Sequence, residues 1–382
     1  MQLRHCPCVI AGVALIGAGV IAVTPVAAPT AEVHLSDIQL TSGDATDIVI
    51  DVVRHGQMIS PFEDELTGSP AYPGAPLSDL GEQQAQQVGN QLFSELGPHV
   101  AGIFEGQGLR EMETAAPFAA LENMSDNVQI LPGLDEIDSG IYAFDPIDSL
   151  GGQLAFLTAG AWSLGSPLGL SLLPAPGSSD VNGVVFDARF TDAIDSMYDA
   201  ALANPVVSAD GQITDVAFNS EASIFVWTIL NVKNPDLPFF IQQIIEAHSV
   251  PNGLSTVLLP NTGIVQIEGN PTDGWTLVSW NGQAIPQDPD LLTALFVDVR
   301  DVALPEQTAL WNIWEAILGG DSTTIMNAVQ TGFDQVDSAL AQFPESVVNS
   351  IVDAVQNLGA DAGAQAAGQV GTTLSDIVAS LF

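Results

Sequence analysis

IVIDVVRHGQ, residues 48–57, is the stretch that decides the fold of this 382-residue chain. Five of its first six residues are β-branched, a composition typical of a strand buried in a parallel sheet. The strand pattern ends at Arg54, His55 and Gly56, so polar side chains follow it directly at its carboxyl end. Open α/β sheets bind their ligands at this edge, because the loops that leave the strands converge there. We therefore predict an α/β fold with a functional site around Arg54 and His55; the alternative is that these residues only lead a core strand into solvent.

The composition excludes several classes of partner. Apolar residues make up 47% of the chain, enough to fill a sizeable core. The formal net charge is −40, because only 6 Lys and Arg residues stand against 46 Asp and Glu residues. A surface this acidic repels phosphate backbones and anionic lipid, so we expect no nucleic-acid partner and no binding to a membrane surface. An anionic substrate requires a local cationic pocket to overcome this field.

The first 31 residues are typical of a signal peptide. A short basic region precedes an apolar run at residues 9–23, and small residues follow it. We expect an exported protein, secreted or held in the cell envelope, with residues 32–45 as a lead-in to the folded domain. An uncleaved anchor is the alternative, and this segment would then be the only membrane contact. Both cysteines, Cys6 and Cys8, precede the apolar run, so the mature chain would have no disulfide, no cysteine nucleophile and no thiolate metal site.

Downstream of the first strand, helical and strand patterns alternate. Residues 58–75 have no period and are rich in Pro, Gly and acids, which predicts a long loop that covers the site. Ser78 is a natural N-cap for an amphipathic helix over residues 76–96, PLSDLGEQQAQQVGNQLFSEL. Further strands are predicted at residues 100–104 and 213–218. The alternation agrees with the α/β class.

Four short motifs follow one another along this part of the chain: RHG at residues 54–56, PLSDLG at 76–81, LREMETA at 109–115 and LDEIDSG at 134–140. In this order and at these spacings, the sequence resembles the histidine phosphatase superfamily, in its phosphoglycerate mutase-like branch. The resemblance covers roughly residues 46–285 and implies a doubly wound, mostly parallel sheet. It also implies hydrolysis of a phosphorylated small molecule, a phosphomonoester, without a metal or other cofactor.

The resemblance assigns roles to four residues at the motif positions. In this family the RHG histidine attacks phosphorus and becomes phosphorylated, so His55 would be the nucleophile. An imidazole suits this task because it is largely neutral at physiological pH and is a good leaving group. Arg54 and Arg110 would bind the phosphate, since a guanidinium group can hold two phosphate oxygens and keeps its charge. Glu136 would protonate the leaving oxygen.

Two of these assignments have alternatives. Arg110 could instead form a surface ion pair with its neighbour Glu111 or Glu113. Asp135 and Asp138 flank the assigned acid, and either could face the pocket in its place.

The sequence departs from the family after the predicted strand at residues 213–218. The family places a second catalytic histidine just past this strand, where this chain has Ser220 followed by Glu221. That histidine donates a hydrogen bond to oxygens that gather negative charge, and the loss of one such donor costs on the order of 10²- to 10³-fold in rate. We therefore predict slow phosphomonoester hydrolysis, with Ser220 as a catalytic residue in the histidine's place and Glu221 as an alternative acid. The alternative is a catalytically inactive pseudophosphatase that binds an anionic ligand or a protein or envelope partner.

Residues 141–185 lie where the family inserts its variable substrate-covering segment. They are apolar, rich in Gly, Ser and Pro, and free of Lys and Arg, which argues against a polyphosphorylated substrate. We predict a lid packed on the core, with a hydrophobic surface for a partner as the alternative.

Residues 300–382 are predicted to form a C-terminal helical extension. Beyond Pro305 the sequence carries the apolar stripes of amphipathic helices, with breaks at Gly319-Gly320 and at Pro344. Arg300 is surrounded by acids and predicted to be paired. We expect the extension to dock on the domain; a homodimer through these helices, or contact with the envelope, is the alternative.

Overall fold

The structure is a computed structural model and describes residues 45–59, 66, 73–248 and 258–357. The predicted signal peptide, the lead-in up to residue 44 and the tail beyond residue 357 lie outside the described residues, as does most of the predicted loop after the RHG motif. Within the described part of the chain, no helix combines the length and the apolar character needed to cross a membrane.

A mixed β-sheet organises the described residues. Its seven strands there are β1 (Ile48–Arg54), β2 (Gly102–Glu105), β3 (Gln129–Ile130), β4 (Thr214–Asn219), β5 (Ile264–Asn270), β6 (Gly274–Trp280) and β7 (Gln283–Ala284). Their order across the sheet is β3-β2-β4-β1-β5-β6-β7. The first four strands are parallel, and β5, β6 and β7 add an antiparallel edge. The prediction of a mainly parallel sheet is confirmed.

Helices cover both faces of this sheet. In the described residues they are α1 (Asp79–Leu96), α2 (Leu109–Leu121), α3 (Leu150–Ser163), α4 (Gly183–Ala203), α5 (Glu221–Asn231), α6 (Leu237–His248), α7 (Leu291–Gly319) and α8 (Ser322–Asn357). Side chains of β1 alternate between the faces: Ile50 and Val52 join one buried cluster with α4 and α5, whereas Val53 joins a second cluster with α1 and α2. This is the doubly wound arrangement that the resemblance implied.

The predicted lid is packed on one side only. Within it, α3 is followed by short 3₁₀ turns at Ser166–Leu168 and Leu170–Leu172. Trp162 is buried and stacks on Phe186 of α4, with ring centroids 6.4 Å apart. The outer side leaves large apolar side chains exposed: Leu150, Leu154, Leu157, Leu168, Leu170 and Leu173.

The C-terminal helices differ from the prediction at two prolines. The helical region begins well before Pro305, because α7 starts at Leu291 with Asp290 as its N-cap, and Pro305 lies inside it. The predicted break at Pro344 is wrong as well, since α8 continues through that residue. A proline removes one helical hydrogen bond and crowds the preceding turn, a penalty that tertiary packing of a long helix can outweigh.

Arg300 shows what anchors α7. It is 2% exposed, and its Nη1 donates to the carbonyls of Ile229 and Val232 at 2.9 Å each, at the C-terminal end of α5. It also pairs with Asp301 at 2.8 Å, so its predicted pairing is confirmed. The predicted break after α7 is correct too, because Gly320 adopts a left-handed φ of 73° at the C-cap.

The two C-terminal helices also leave apolar side chains exposed: Trp314, Ile317, Leu318, Met326, Phe333 and Leu340. Dimerisation through these helices stays a prediction.

Candidate active site

Three parallel strands end at the same level of the sheet. Arg54 at the end of β1 lies opposite Asn219 at the end of β4, and Glu105 at the end of β2 lies opposite Phe218. The backbone N–H of His55 donates to the carbonyl of Asn219 at 2.9 Å. The RHG motif and the residues that follow β4 therefore form one site at the carboxyl edge, where α/β sheets bind ligands.

His55 is buried at this edge, with an exposure of 4%. Its Nδ1 lies 2.7 Å from the backbone carbonyl of Gly56. A carbonyl only accepts hydrogen bonds, so Nδ1 carries the proton and Nε2 keeps its lone pair. Burial, followed by the positive charges of Arg110 and Arg54, holds the pKa of His55 well below its ordinary value. His55 is thus a neutral imidazole whose Nε2 carries a lone pair.

The first helix holds the loop that carries this imidazole. Gly56 lies so close to Gly81 of α1 that a Cβ added to Gly56 would come 2.7 Å from the Gly81 carbonyl oxygen. Ser78 caps α1 by accepting from the N–H of Gly81 at 3.1 Å, as predicted, and its own N–H donates to the carbonyl of Gln57 at 2.8 Å. The RHG and PLSDLG motifs therefore need glycines because their backbones touch.

The second helix supports the same loop through Thr114. Its Oγ1 accepts from the N–H of Gly56 at 3.0 Å and donates to the carbonyl of Arg110 at 2.6 Å. Thr114 is fully buried, so these bonds are not shared with solvent. The threonine of the LREMETA motif thus links the loop that carries His55 to the turn that carries Arg110.

Arg110 is fully buried and faces a carboxylate of its own helix. Its Nε lies 2.9 Å from Oε1 of Glu111, and its Nη2 donates to Oγ of Ser220 at 2.9 Å. Ser220 Oγ donates in turn to Oε1 of Glu111 at 2.5 Å. The ion pair with Glu111 that was the alternative reading does form, but inside the site rather than at the surface. The hydroxyl proton of Ser220 is directed to Glu111, not to a substrate.

Arg54 faces a second internal carboxylate. Its Nη1 lies 2.8 Å from Oε2 of Glu221 and donates to the carbonyl of Leu259 at 2.5 Å. The other oxygen of Glu221 accepts from the N–H groups of Leu258 at 2.5 Å and Leu259 at 3.1 Å. Burial raises the pKa of Glu221 to about 7, against the opposing effect of Arg54. Both arginines predicted to bind phosphate are therefore paired with a glutamate of the chain itself.

Glu136 lies at the N-terminus of α5. Its carboxylate accepts from the N–H groups of Ser223 at 2.9 Å and Ala222 at 3.3 Å, which have no partner within the helix. Glu136 thus caps α5 from outside, because the hydroxyl of Ser220 makes no capping bond. Burial raises the pKa of Glu136 in spite of these hydrogen bonds. A carboxyl group with a raised pKa can carry a proton to a leaving group near neutral pH.

Arg189 of α4 holds the segment that carries Glu136. Its Nη1 donates to the carbonyls of Gly133 at 2.8 Å and Asp135 at 2.9 Å, and its Nη2 donates to the carbonyl of Glu136 at 3.2 Å. Its other edge pairs with Asp180 at 2.6 Å. Arg189 was not among the residues predicted for the site, although it is one of only 6 Lys and Arg residues in the chain and that rarity was a signal.

The two acids that flank Glu136 serve the backbone instead. Asp135 accepts from the N–H of Gln107 at 2.6 Å. Asp138 accepts from the N–H groups of Gly140 at 2.9 Å and Ser179 at 2.6 Å, which fastens the two ends of the lid. This geometry favours Glu136 over its neighbours as the acid.

The structure thus brings six sequence-predicted residues to one edge of the sheet: Arg54, His55, Arg110, Glu136, Ser220 and Glu221. It adds Glu111, Thr114 and Arg189, which sequence analysis did not assign to the site. The rarity of arginine pointed to Arg189, and Thr114 and Glu111 lie in the LREMETA motif beside Arg110. Their contacts with Gly56 and Ser220, however, join residues that are distant in the chain. Within the described residues, no three His, Cys, Asp or Glu side chains lie together in a way that could hold a metal ion.

Residues 50–152 match the family model of the histidine phosphatase superfamily (branch 1). The PE-PGRS family protein PE_PGRS11 of Mycobacterium tuberculosis is 46% identical over 313 residues, which are 82% of this chain and 50% of that protein. The chain therefore spans about half the length of this curated relative.

Solved structures with similarity to this chain include two enzymes named for phosphate chemistry. The mycobacterial glucosyl-3-phosphoglycerate phosphatase is 17% identical, with 62% of this chain and 99% of that chain covered and a TM-score of 0.42. Phosphoglycerate mutase from Bacillus anthracis is 18% identical, with 62% and 94% covered and a TM-score of 0.40. A protein named mycobacterial hydrolase 1 is 19% identical, with 62% and 100% covered and a TM-score of 0.44.

Proposed function

We propose that this chain, whose residues 50–152 match the model of the histidine phosphatase superfamily (branch 1), hydrolyses phosphomonoesters through a phosphohistidine at His55. The observation that carries the proposal is the state of His55. It is a buried, neutral imidazole whose Nδ1 is bonded to the Gly56 carbonyl at 2.7 Å, which leaves Nε2 to attack phosphorus.

Each group of the site has a step in this reaction. Nε2 of His55 forms a bond to phosphorus while the bond from phosphorus to the leaving oxygen breaks. Glu136 gives its proton to that oxygen and becomes a carboxylate. Water then attacks the phosphohistidine, Glu136 takes a proton from the water, and the N–P electron pair returns to Nε2. Arg54 and Arg110 supply the positive charge that the phosphoryl oxygens need.

We propose that turnover is slow. The residue directly after β4 is Ser220 and not a histidine, and its Oγ donates its proton to Glu111 at 2.5 Å. The missing donor alone accounts for a loss on the order of 10²- to 10³-fold. Because both arginines are paired with glutamates, we also expect weaker binding of the phosphate group.

A specific observation supports a second candidate, an inactive pseudophosphatase that binds an anionic ligand or a partner. Arg110 is held by Glu111 at 2.9 Å, and Arg54 is held by Glu221 at 2.8 Å. In these two ion pairs, glutamates of the chain occupy the arginines that would otherwise bind the phosphate of a substrate. The arrangement therefore does not require catalytic turnover. The two candidates differ in whether His55 becomes phosphorylated.

For the substrate, we propose a phosphomonoester with a single phosphate group and an uncharged alcohol portion. Residues 149–179 of the lid carry no charged side chain, in a chain in which charged residues make up 14%. Such a segment offers no partner to a second phosphate or to a carboxylate of the substrate.

We propose that the protein meets this substrate outside the cytoplasm, on the strength of the signal-like sequence in residues 1–31. N-terminal sequencing of the exported protein tests this, and a mature chain that still begins at Met1 contradicts cleavage.

The decisive experiment measures hydrolysis of an aryl phosphate from acidic to mildly alkaline pH by the wild type and by His55→Ala. The matched control is His99→Ala, because His99 is an exposed histidine far along the chain from the motif. We expect hydrolysis by the wild type and the control and none by His55→Ala. Labelled substrate quenched in base should leave phosphate on the wild type alone, since phosphohistidine survives base and not acid.

The same assay separates the two candidates. In the double variant Ser220→His, Glu111→Ala, the new imidazole occupies the space of both original side chains and replaces the missing hydrogen-bond donor. We expect its rate of hydrolysis to be roughly 10²-fold higher than that of Glu111→Ala alone. Hydrolysis that is unaffected by His55→Ala contradicts the phosphohistidine. Absence of hydrolysis and of phosphoenzyme in every variant contradicts the phosphatase and leaves the pseudophosphatase.

A further inference from the structure

We propose that Glu221 is a specificity-determining residue: its carboxylate competes with the phosphoryl group of a ligand for Arg54, so that phosphoryl binding is coupled to the uptake of one proton by Glu221. The inference rests on the phosphoryl site proposed above, but it concerns binding and not turnover.

The contacts of Glu221 fix its carboxylate in front of Arg54. Oε2 lies 2.8 Å from Nη1 of Arg54, while Oε1 accepts from the N–H groups of Leu258 and Leu259 at 2.5 and 3.1 Å. Only 16% of the Glu221 side chain is exposed, so solvation by water does not displace its carboxylate from Arg54. Carboxylate and phosphate bind the same N–H groups of a guanidinium, and the two anions therefore compete.

The guanidinium group of Arg54 has hydrogen-bond donors that Glu221 does not use. Its Nη1 serves both Glu221 and the carbonyl of Leu259, whereas its Nε is buried without a hydrogen-bond partner in the described structure. Glu221 therefore does not make the two-pronged contact that a guanidinium allows. A phosphoryl group with three oxygens can satisfy more of these donors once the carboxylate no longer competes.

The surroundings of Glu221 allow it to change its charge. Among the described residues, two charged groups face it: Arg54 from β1, and Glu136 from the segment after β3. The N–H groups of Leu258 and Leu259 face it from the segment before β5. Burial raises the pKa of Glu221 to about 7, so either form is accessible near neutral pH.

Proton binding and phosphoryl binding must then favour each other. A phosphoryl group at Arg54 places negative charge beside Glu221 and takes away its cationic partner, and both changes raise the pKa of Glu221 further. By thermodynamic reciprocity, a proton on Glu221 strengthens phosphoryl binding by the same factor. The pair accepts a phosphoryl ligand readily below pH 7 and resists it above.

The size of the effect follows from the fraction of protein that carries the proton. With a pKa of about 7, roughly nine-tenths of Glu221 is protonated at pH 6 and roughly one-tenth at pH 8. The apparent affinity scales with this competent fraction. Glu221→Gln is always neutral and keeps an oxygen that can accept from Leu258. It should bind phosphate about tenfold more tightly than the wild type at pH 8 and about equally at pH 6.

The test is calorimetric titration of the full mature chain with inorganic phosphate at pH 6 and pH 8. Each titration is repeated in two non-phosphate buffers of different ionisation enthalpy, which gives the number of protons taken up. The wild type should take up about one proton more than Glu221→Gln at pH 8. Ionisation of phosphate itself is common to both proteins and cancels in the comparison. Glu82→Gln, an exposed position on α1, is the matched control and should behave as the wild type.

Equal phosphate affinity and equal proton uptake in the wild type and Glu221→Gln at pH 8 would overturn the inference. So would the absence of phosphate binding in all variants at both pH values. If near-UV circular dichroism shows that Glu221→Gln is not folded, Glu221→Met is the second neutral variant and must meet the same expectations. Failure of hydrolysis with the proton-coupled binding intact contradicts only the proposed turnover.

Discussion

Asp215 leads to a prediction about how the stability of this protein depends on pH. It lies in β4 with 0% exposure, and neither carboxyl oxygen has a hydrogen-bond partner in the described structure. Burial raises its pKa to about 8, from an ordinary value of 3.8. The native state therefore holds a proton at neutral pH that the unfolded state releases. Because the native state binds more protons, the free energy of unfolding falls as the pH rises between these two values.

The slope follows from this stoichiometry. One extra proton in the native state costs about 1.4 kcal/mol per pH unit, and hence about 2.7 kcal/mol between pH 5 and pH 7. Asp215→Asn keeps the shape of the side chain and is neutral at both pH values. The difference in unfolding free energy between Asp215→Asn and the wild type should therefore grow by about 2.7 kcal/mol over this interval, in favour of the variant.

Urea unfolding followed by tryptophan fluorescence at pH 5, 6 and 7 measures this difference. The other buried acids are present in both proteins and cancel. Asp126→Asn, in an exposed turn, is the control and should differ from the wild type by the same amount at every pH. A difference between Asp215→Asn and the wild type that does not change with pH would refute the reasoning, because the native carboxyl group would then not hold the extra proton.

Two further predictions concern residues that position the catalytic groups. Thr114→Val leaves the N–H of Gly56 buried and unpaired in the loop that carries His55, so we expect a loss of about 1–3 kcal/mol in the free energy of unfolding and a lower kcat. Thr114→Ser keeps the hydroxyl and is the control. Equal urea midpoints and equal kcat values for the two variants contradict this role. Arg189→Lys replaces the planar guanidinium group that holds the Glu136 segment by a single ammonium group. Alkyl phosphates need a proton on the leaving oxygen, so the rate of their hydrolysis should fall more than that of nitrophenyl phosphate. Equal losses of rate for the two substrates mean that Arg189 does not act through Glu136.

Local signals allowed much of the fold to be predicted. The β-branched residues of β1 and the N-cap Ser78 report on their own backbone, and the structure has a strand and a helix there. The order of the four motifs led to the mainly parallel, doubly wound sheet. The predicted helix boundaries at prolines were wrong, because Pro305 and Pro344 both lie inside long helices. The local pattern carried only the penalty of each proline, and the tertiary packing of a long helix can outweigh that penalty.

The sequence by itself determined which reactive groups this protein carries: the RHG histidine, four arginines downstream of the signal-like segment, and a serine and a glutamate after β4. The tertiary structure alone decided their charge and their partners. Ser220 and Glu111 are 109 residues apart in the chain, yet they share one hydrogen bond in the site. Glu221 meets Arg54 only because β1 and β4 lie side by side. A pKa and an ion pair depend on burial and on distances of a few ångströms, and neither is encoded in the local pattern of residues.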